Sequence, residues 1–204
     1  MNIEQFRAQL AAILMDPTNL TWDSSVLDAA LRQALAAYTA SCPHTIKAVV
    51  TLTESSRTVD LSSLTDLVDI LLVEYPYLEN GMSFSPGWQL FRDRMAAKLV
   101  LTLNHLPQPG EQISLLYTAC HTIEGLDSAA LTSVEPQDEP LLVCGAAGYA
   151  ACSRALQRAN AYEFPRPGSL TLNTWGRQML SRFDAALFSR RMRSACQYAL
   201  WTLE

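Results

Sequence analysis

The period of the apolar residues changes twice along this chain, and those two changes constrain its fold more than any other feature. Ile3, Phe6, Leu10, Ile13 and Leu14 recur at helical spacing, and so do Val26, Leu27, Leu31, Leu35 and Tyr38. Residues 45–53 then read T-I-K-A-V-V-T-L-T, a β-branched run suited to a pleated strand. Helical spacing returns after Val134-Glu135-Pro136 and holds, with a loop at 163–169, to about residue 194. A chain written in blocks, helices then strands then helices, is expected to be α+β. The expectation is an antiparallel bundle of about four helices with a small antiparallel β-sheet inserted into it.

Local signals place the boundaries. Asn2 with Gln5 has the form of a capping box, and Asp16-Pro17 should end the first helix, because the residue before proline avoids helical geometry. Asp23-Ser24-Ser25 offers good caps for a second helix, which Pro43 stops. Short strands are expected at 57–61, 67–75, 98–103 and 112–118, with residues 79–87 as loop. Leu106-Pro107-Gln108-Pro109-Gly110 reads as the turn of a hairpin between the last two, giving one sheet of four or five strands. Asp138 and Glu139 suit the positive end of a third helix. Its body, residues 141–160, carries Gly145, Ala146, Ala147, Gly148, Ala150 and Ala151, small enough to let another backbone approach, within the chain or in another subunit. A last helix is expected over 172–194 with Trp175, Met179, Phe183, Ala186 and Leu187 inward. The organisation expected is a discontinuous helical domain (1–43 and 133–195), an inserted β-rich region (44–132) and a tail (196–204).

Catalytic signatures are missing. The sequence has no Gly-x-x-x-x-Gly-Lys-Ser/Thr, Gly-x-Gly-x-x-Gly, Gly-x-Ser-x-Gly or His-Glu-x-x-His string, and no Cys-x-x-Cys. Cys42, His44, Cys120 and His121 could in principle surround a zinc ion, but structural zinc ligands usually come as tight pairs on knuckle turns. His105 falls in the expected turn and reads as solvated, and no pair of carboxylates shows spacing that implies a shared pocket. The expectation is a non-enzyme with no metal and no cofactor. Composition agrees with a folded, partner-held protein: 49% hydrophobic and 17% charged residues supply a core and leave apolar surface to spare. No apolar run reaches the roughly 20 residues of a membrane-spanning helix. The opening Met1-Asn2-Ile3-Glu4 lacks the basic start of a secretory signal, and five unevenly spaced cysteines do not suggest a disulfide framework. Synthesis in the cytosol and no membrane association are expected.

Charge is unevenly spread. Residues 1–140 carry seven Lys and Arg against seventeen Asp and Glu, whereas residues 154–193 carry eight Arg against Glu163 and Asp184. Such asymmetry is expected where the two parts of a chain meet different partners. Arg154 and Arg158 lie one turn apart, and Arg182, Arg190 and Arg193 fall toward one side of the last helix. Arginine favours bidentate contact with carboxylate or phosphate. No nucleic-acid-binding motif accompanies the arginines, so an acidic protein surface is the expected partner. Tyr198, Leu200, Trp201 and Leu203 give the tail an apolar content that an extended segment can add to a partner's sheet edge or groove.

The order of elements resembles the head–tail adaptor (connector) proteins of tailed bacteriophages. The resemblance is carried by Ile3-x-x-Phe6-x-x-x-Leu10, Asp16-Pro17, Trp22 and Leu27-x-x-Ala30-Leu31-x-x-Ala34-Leu35 in the first helical pair. In the inserted sheet it is carried by Val59-Asp60-Leu61, Val73-Glu74-Tyr75-Pro76 and Leu116-Tyr117-Thr118. His121-Thr122-Ile123-x-Gly125-Leu126-Asp127 and Leu142-Val143-x-Gly145-Ala146-Ala147-x-Tyr149-Ala150 follow it further, so that it spans residues 3–193. The resemblance implies a non-catalytic virion protein of the neck, forming a ring of about twelve copies between portal and tail. Genomic DNA would pass through that ring without sequence-specific binding, and a chain end would reach the portal protein. Another neck, tail-completion or baseplate role is the alternative, distinguished by sixfold or threefold copies further down the particle. A small non-viral enzyme or metal-binding domain is the third.

Overall fold

The computed structural model describes residues 1–18, 21–64, 66–77, 84–92, 97–160 and 167–201, with side chains to Arg191 but not those of Asn160 and Pro167. The first helix, α1 (Ile3–Ile13), starts on the expected capping box: Gln5 N–H donates to Asn2 Oδ1 (3.0 Å), and Asn2 N–H donates to Gln5 Oε1 (2.9 Å). The chain leaves it at Asp16, whose carboxylate accepts the Thr21 and Trp22 N–H groups at 2.7 and 2.9 Å. Asp23 then caps α2 (Ser24–Ser41) by accepting from Val26 N–H at 3.0 Å.

Among the described residues six strands follow: β1 (His44–Thr51), β2 (Thr58–Asp60), β3 (Leu67–Glu74), β4 (Gly87–Arg92), β5 (Ala97–Thr102) and β6 (Gln112–Ala119). After a short 3-10 turn at Leu126–Ser128, two long helices come last among the described residues, α3 (Glu139–Asn160) and α4 (Pro167–Trp201). The fold is α+β, as the blocks of periodicity require.

The sheet differs from expectation in one respect. The strands form two antiparallel sheets of three, ordered β1–β6–β3 and β2–β5–β4. The anticipated hairpin of β5 with β6 does not exist, because each is the central strand of its own sheet and has no free edge to offer the other. The residues between them, including Pro107 and Pro109, carry the chain from one sheet to the other. β4 was not anticipated: its Trp88 and Leu90 alternate inward correctly, but the strand is short and opens on Pro86-Gly87. One apolar core joins the two sheets. Ile113, Leu115 and Tyr117 of β6, and Leu99 and Leu101 of β5, share it at the two-residue spacing of an inward strand face, with Val59 of β2 and with Ile70 and Val73 of β3, whose three-residue spacing reflects a register shift between Ile70 and Leu72.

The chain divides into two compact units, residues 1–43 with 121–204, and residues 44–120. In the helical unit Phe6, Leu10, Leu27, Leu31, Ile123, Leu142, Ala146, Ala147 and Phe183 form a second core. The last helix runs from Pro167 to Trp201, past both ends of the anticipated 172–194, so residues 195–201 continue a helix where an extended tail was expected.

Candidate assembly surface

The small residues of α3 account for how α4 sits. A Cβ on Gly145 would lie 2.8 Å from the Phe183 ring, one on Gly148 2.8 Å from Leu180 Cγ and 3.0 Å from the Gly176 carbonyl, and one on Gly176 2.8 Å from Cys152 Sγ. These contacts pair 145 with 183, 148 with 180 and 152 with 176, so α3 and α4 run antiparallel with backbones nearly touching. Of the two readings of the glycine-alanine run, packing within the chain is the one these contacts display.

At the start of α3 the same seam ends in a polar cluster. Arg190 grips Asp138 in bidentate fashion, with Nε 2.9 Å from both carboxylate oxygens, and Tyr38 Oη donates to Asp138 Oδ2 at 2.6 Å. The Asp138 side chain is 7% exposed and Arg190 27%. Burial pushes the Asp138 carboxyl up, and the hydrogen bonds from Arg190 and Tyr38 outweigh it, leaving the carboxyl below its ordinary range. Burial, reinforced by Asp138, drives the Tyr38 phenol well above its usual value. Arg190 therefore spends its bidentate capacity inside the chain, tying α4 to α2 and α3.

Beside it lies His121, which is buried. Its Nε2 stands 2.8 Å from the Cys42 carbonyl, which can only accept, so Nε2 carries the proton. Nδ1 then accepts from Ser133 Oγ at 3.0 Å, and Ser133 Oγ itself accepts Thr122 N–H at 2.9 Å. Both ring nitrogens of His121 are engaged. Among the described residues no three His, Cys, Asp or Glu side chains converge as a metal site would require.

The string 121–127 binds the early helices to the late ones. Gly125, at φ +83°, passes so close to Ile3 that a Cβ would meet its Cγ2 at 2.8 Å. The Ile3 N–H donates to the Glu124 carbonyl, and Asp127 takes Arg32 in a bidentate pair. Arg7 reaches both Glu4 and Asp28. These pairs lie within the acidic front and leave its net charge unchanged; among the described residues Arg190–Asp138 is the ion pair that joins the arginine-rich part to it.

Arg158, Arg177, Arg182 and Arg191 are exposed, and among the described residues none of them is in an ion pair. Arg154 is half-buried, donating to Gln157 at 3.2 Å while its Nε is enclosed without a partner. Exposed apolar side chains accompany these arginines: Leu156 at 63%, Leu170 at 58% and Phe188 at 66%. Arg177 and Phe188 were not singled out from the sequence, although outward helical spacing relative to Phe183 marks both. Of the anticipated contact residues, the side chains of Arg193, Tyr198, Leu200 and Trp201, and Leu203 altogether, lie outside the described residues.

No protein-family description matches this chain, and no curated protein matches it. Among solved structures, the neck of an empty GTA particle with C6 symmetry is similar at 18% identity, covering 73% of this chain and 77% of that chain, with a TM-score of 0.34. The neck of a native GTA particle with C12 symmetry is similar at 16% identity, covering 89% and 86%, with a TM-score of 0.31. At that distance the function is read from this chain's own surface.

Proposed function

We propose that this chain is a non-catalytic structural protein of a phage-type virion, a head–tail adaptor that forms a ring between portal and tail around the DNA channel. The observation that carries the reading is the outer side of α4. It bears exposed arginines and apolar side chains together, on a helix whose residues 191–201 run on past the point where Asp138 marks the start of α3. At 1.5 Å per residue that extension is about 16 Å of helix. Exposed apolar side chains beside arginines that make no ion pair among the described residues are surface that a neighbouring subunit can cover.

The roles divide along the chain. The helical unit packs copy against copy, the free arginines meet acidic surface on the neighbour, and the end of α4 with the residues after it reaches the portal protein. DNA would pass through without base-specific contact, since no reading motif is present.

The test is a size measurement by mass photometry, first on the chain alone and then with portal protein. A complex of about twelve copies on the portal is expected. A chain that stays monomeric in the portal mixture, or that images as a solitary globule inside the native particle, would sink the reading. Removing residues 195–204 should leave the thermal melt of the core unchanged and lower portal affinity by at least tenfold. Intact portal binding by that truncation would remove the end of α4 from the account.

A further inference from the structure

The side of α4 turned away from α3 carries a narrow exposed stripe. Leu170, Thr174, Arg177, Ser181, Asp184 and Phe188 recur at alternating spacings of four and three residues, and all six are exposed. Gly176, Leu180 and Phe183, which meet α3, lie on the opposite side. The alternation is the one that lets a second helix lie alongside over several turns. The two large apolar side chains, Leu170 and Phe188, stand at the ends of the stripe, five turns or about 27 Å apart. Arg177 and Asp184 lie between them, two turns apart, and among the described residues neither is in an ion pair.

This stripe is complementary to itself when reversed. With a second α4 laid antiparallel about a two-fold axis level with Leu180, Arg177 comes within one residue of the second copy's Asp184, about 1.5 Å along the axis. Leu170 comes within two residues of the second copy's Phe188, about 3 Å along the axis. The axis repeats both contacts, so each charge gains an opposite partner and each exposed apolar side chain gains cover. A parallel pairing would instead set Arg177 beside Arg177 and Asp184 beside Asp184. We infer that the free chain forms a two-fold dimer through the outer sides of its α4 helices. Such a contact uses one patch on both copies and closes at two. Four apolar side chains and two reciprocal ion pairs make a small interface, of the class that dissociates on dilution. The inference goes beyond the ring reading, and the two use the same side of α4 in turn: the dimer covers it while no portal is present, and subunits entering the ring exchange that cover for their neighbours.

The test is made on the full-length chain without portal. Sedimentation velocity over a concentration series should show the 22.5 kDa chain passing reversibly to twice that mass. Arg177→Asp and Asp184→Arg each set like charges opposite one another at both ends of the axis, so each should raise the dimer Kd about tenfold or more, and the two together should restore it. Only a two-fold contact brings a residue against its own counterpart. In a chain whose exposed Cys120 is replaced by Ser, Ser181→Cys, close to the axis, should therefore link to itself with a short bismaleimide. Ser189→Cys, exposed on the same helix but off the stripe, should not. Circular dichroism on each variant reports folding separately. A chain that stays monomeric at every concentration, a dimer that both charge reversals leave unchanged, or equal linking at 181 and 189 would each overturn the contact. The ring reading is decided apart from it, in the mixture with portal protein.

Discussion

One buried carboxylate, that of Asp138, serves both Arg190 from α4 and Tyr38 from α2. Hydrogen bonds to a charged group contribute roughly 1.5–3 kcal/mol each. Asp138→Asn is expected to destabilise the protein by about 2–3 kcal/mol at neutral pH, read as a lower urea midpoint with unchanged slope. The sign of the pH dependence follows from the depressed folded-state pKa. The contribution is fully present above the ordinary carboxylate range and is lost as pH falls through the folded value. The gap between wild type and Asp138→Asn should therefore narrow on acidification, and a gap that widened would contradict the assignment. In the β unit, burial and then Glu111 push the Tyr75 phenol up to about 12, so Tyr75 stays a donor at any physiological pH. Capping residues such as Asn2, Gln5 and Asp23 are legible in the sequence because their partners lie three residues away. The partner of Arg190 lies 52 residues away, so the sequence displays a guanidinium free to meet other molecules where the fold has already committed it.

Among the elements, the α3–α4 pair makes the sharpest claim about glycine. In an open helix, glycine to alanine stabilises by about 1 kcal/mol. At Gly148 the added methyl would sit 3.0 Å from a backbone carbonyl, which cannot rotate away, whereas nothing lies within 4 Å of the corresponding position at Gly168. Gly168→Ala should be neutral or stabilising and Gly148→Ala destabilising by roughly 1–3 kcal/mol, both measured by thermal denaturation. Similar effects from the two would disprove the close approach. The strands show the other side of legibility. β1, β3 and β6 announce themselves through β-branched and alternating residues, but which strand pairs with which is a non-local matter that periodicity does not encode. The partition into two sheets is hidden for that reason, and the proline-rich stretch after β5 has the composition of a turn although it joins strands of different sheets. The last helix extends past the apolar stripe at both ends, and at its start the one large apolar residue, Leu170, is exposed, so the inward stripe does not mark the first turn.

At the scale of the whole chain, the two compact units have separate cores. The β unit begins and ends on paired residues, His44 opposite Ala119, and the chain on the helical side is likewise closed where His121 holds the Cys42 carbonyl. Replacing residues 44–120 with a short Gly-Ser linker is therefore expected to leave a helical protein with a cooperative melt. A non-cooperative, molten product would show that the helical core needs the sheets. The glycine seam carries one more consequence. Because Phe183 nests over Gly145 and Leu180 over Gly148, α4 cannot slide along α3 by a turn without driving a large side chain into a bulkier neighbour. The seam thus acts as a vernier: it fixes how far the final turns of α4 protrude, and every copy built from this sequence presents its tip at one height.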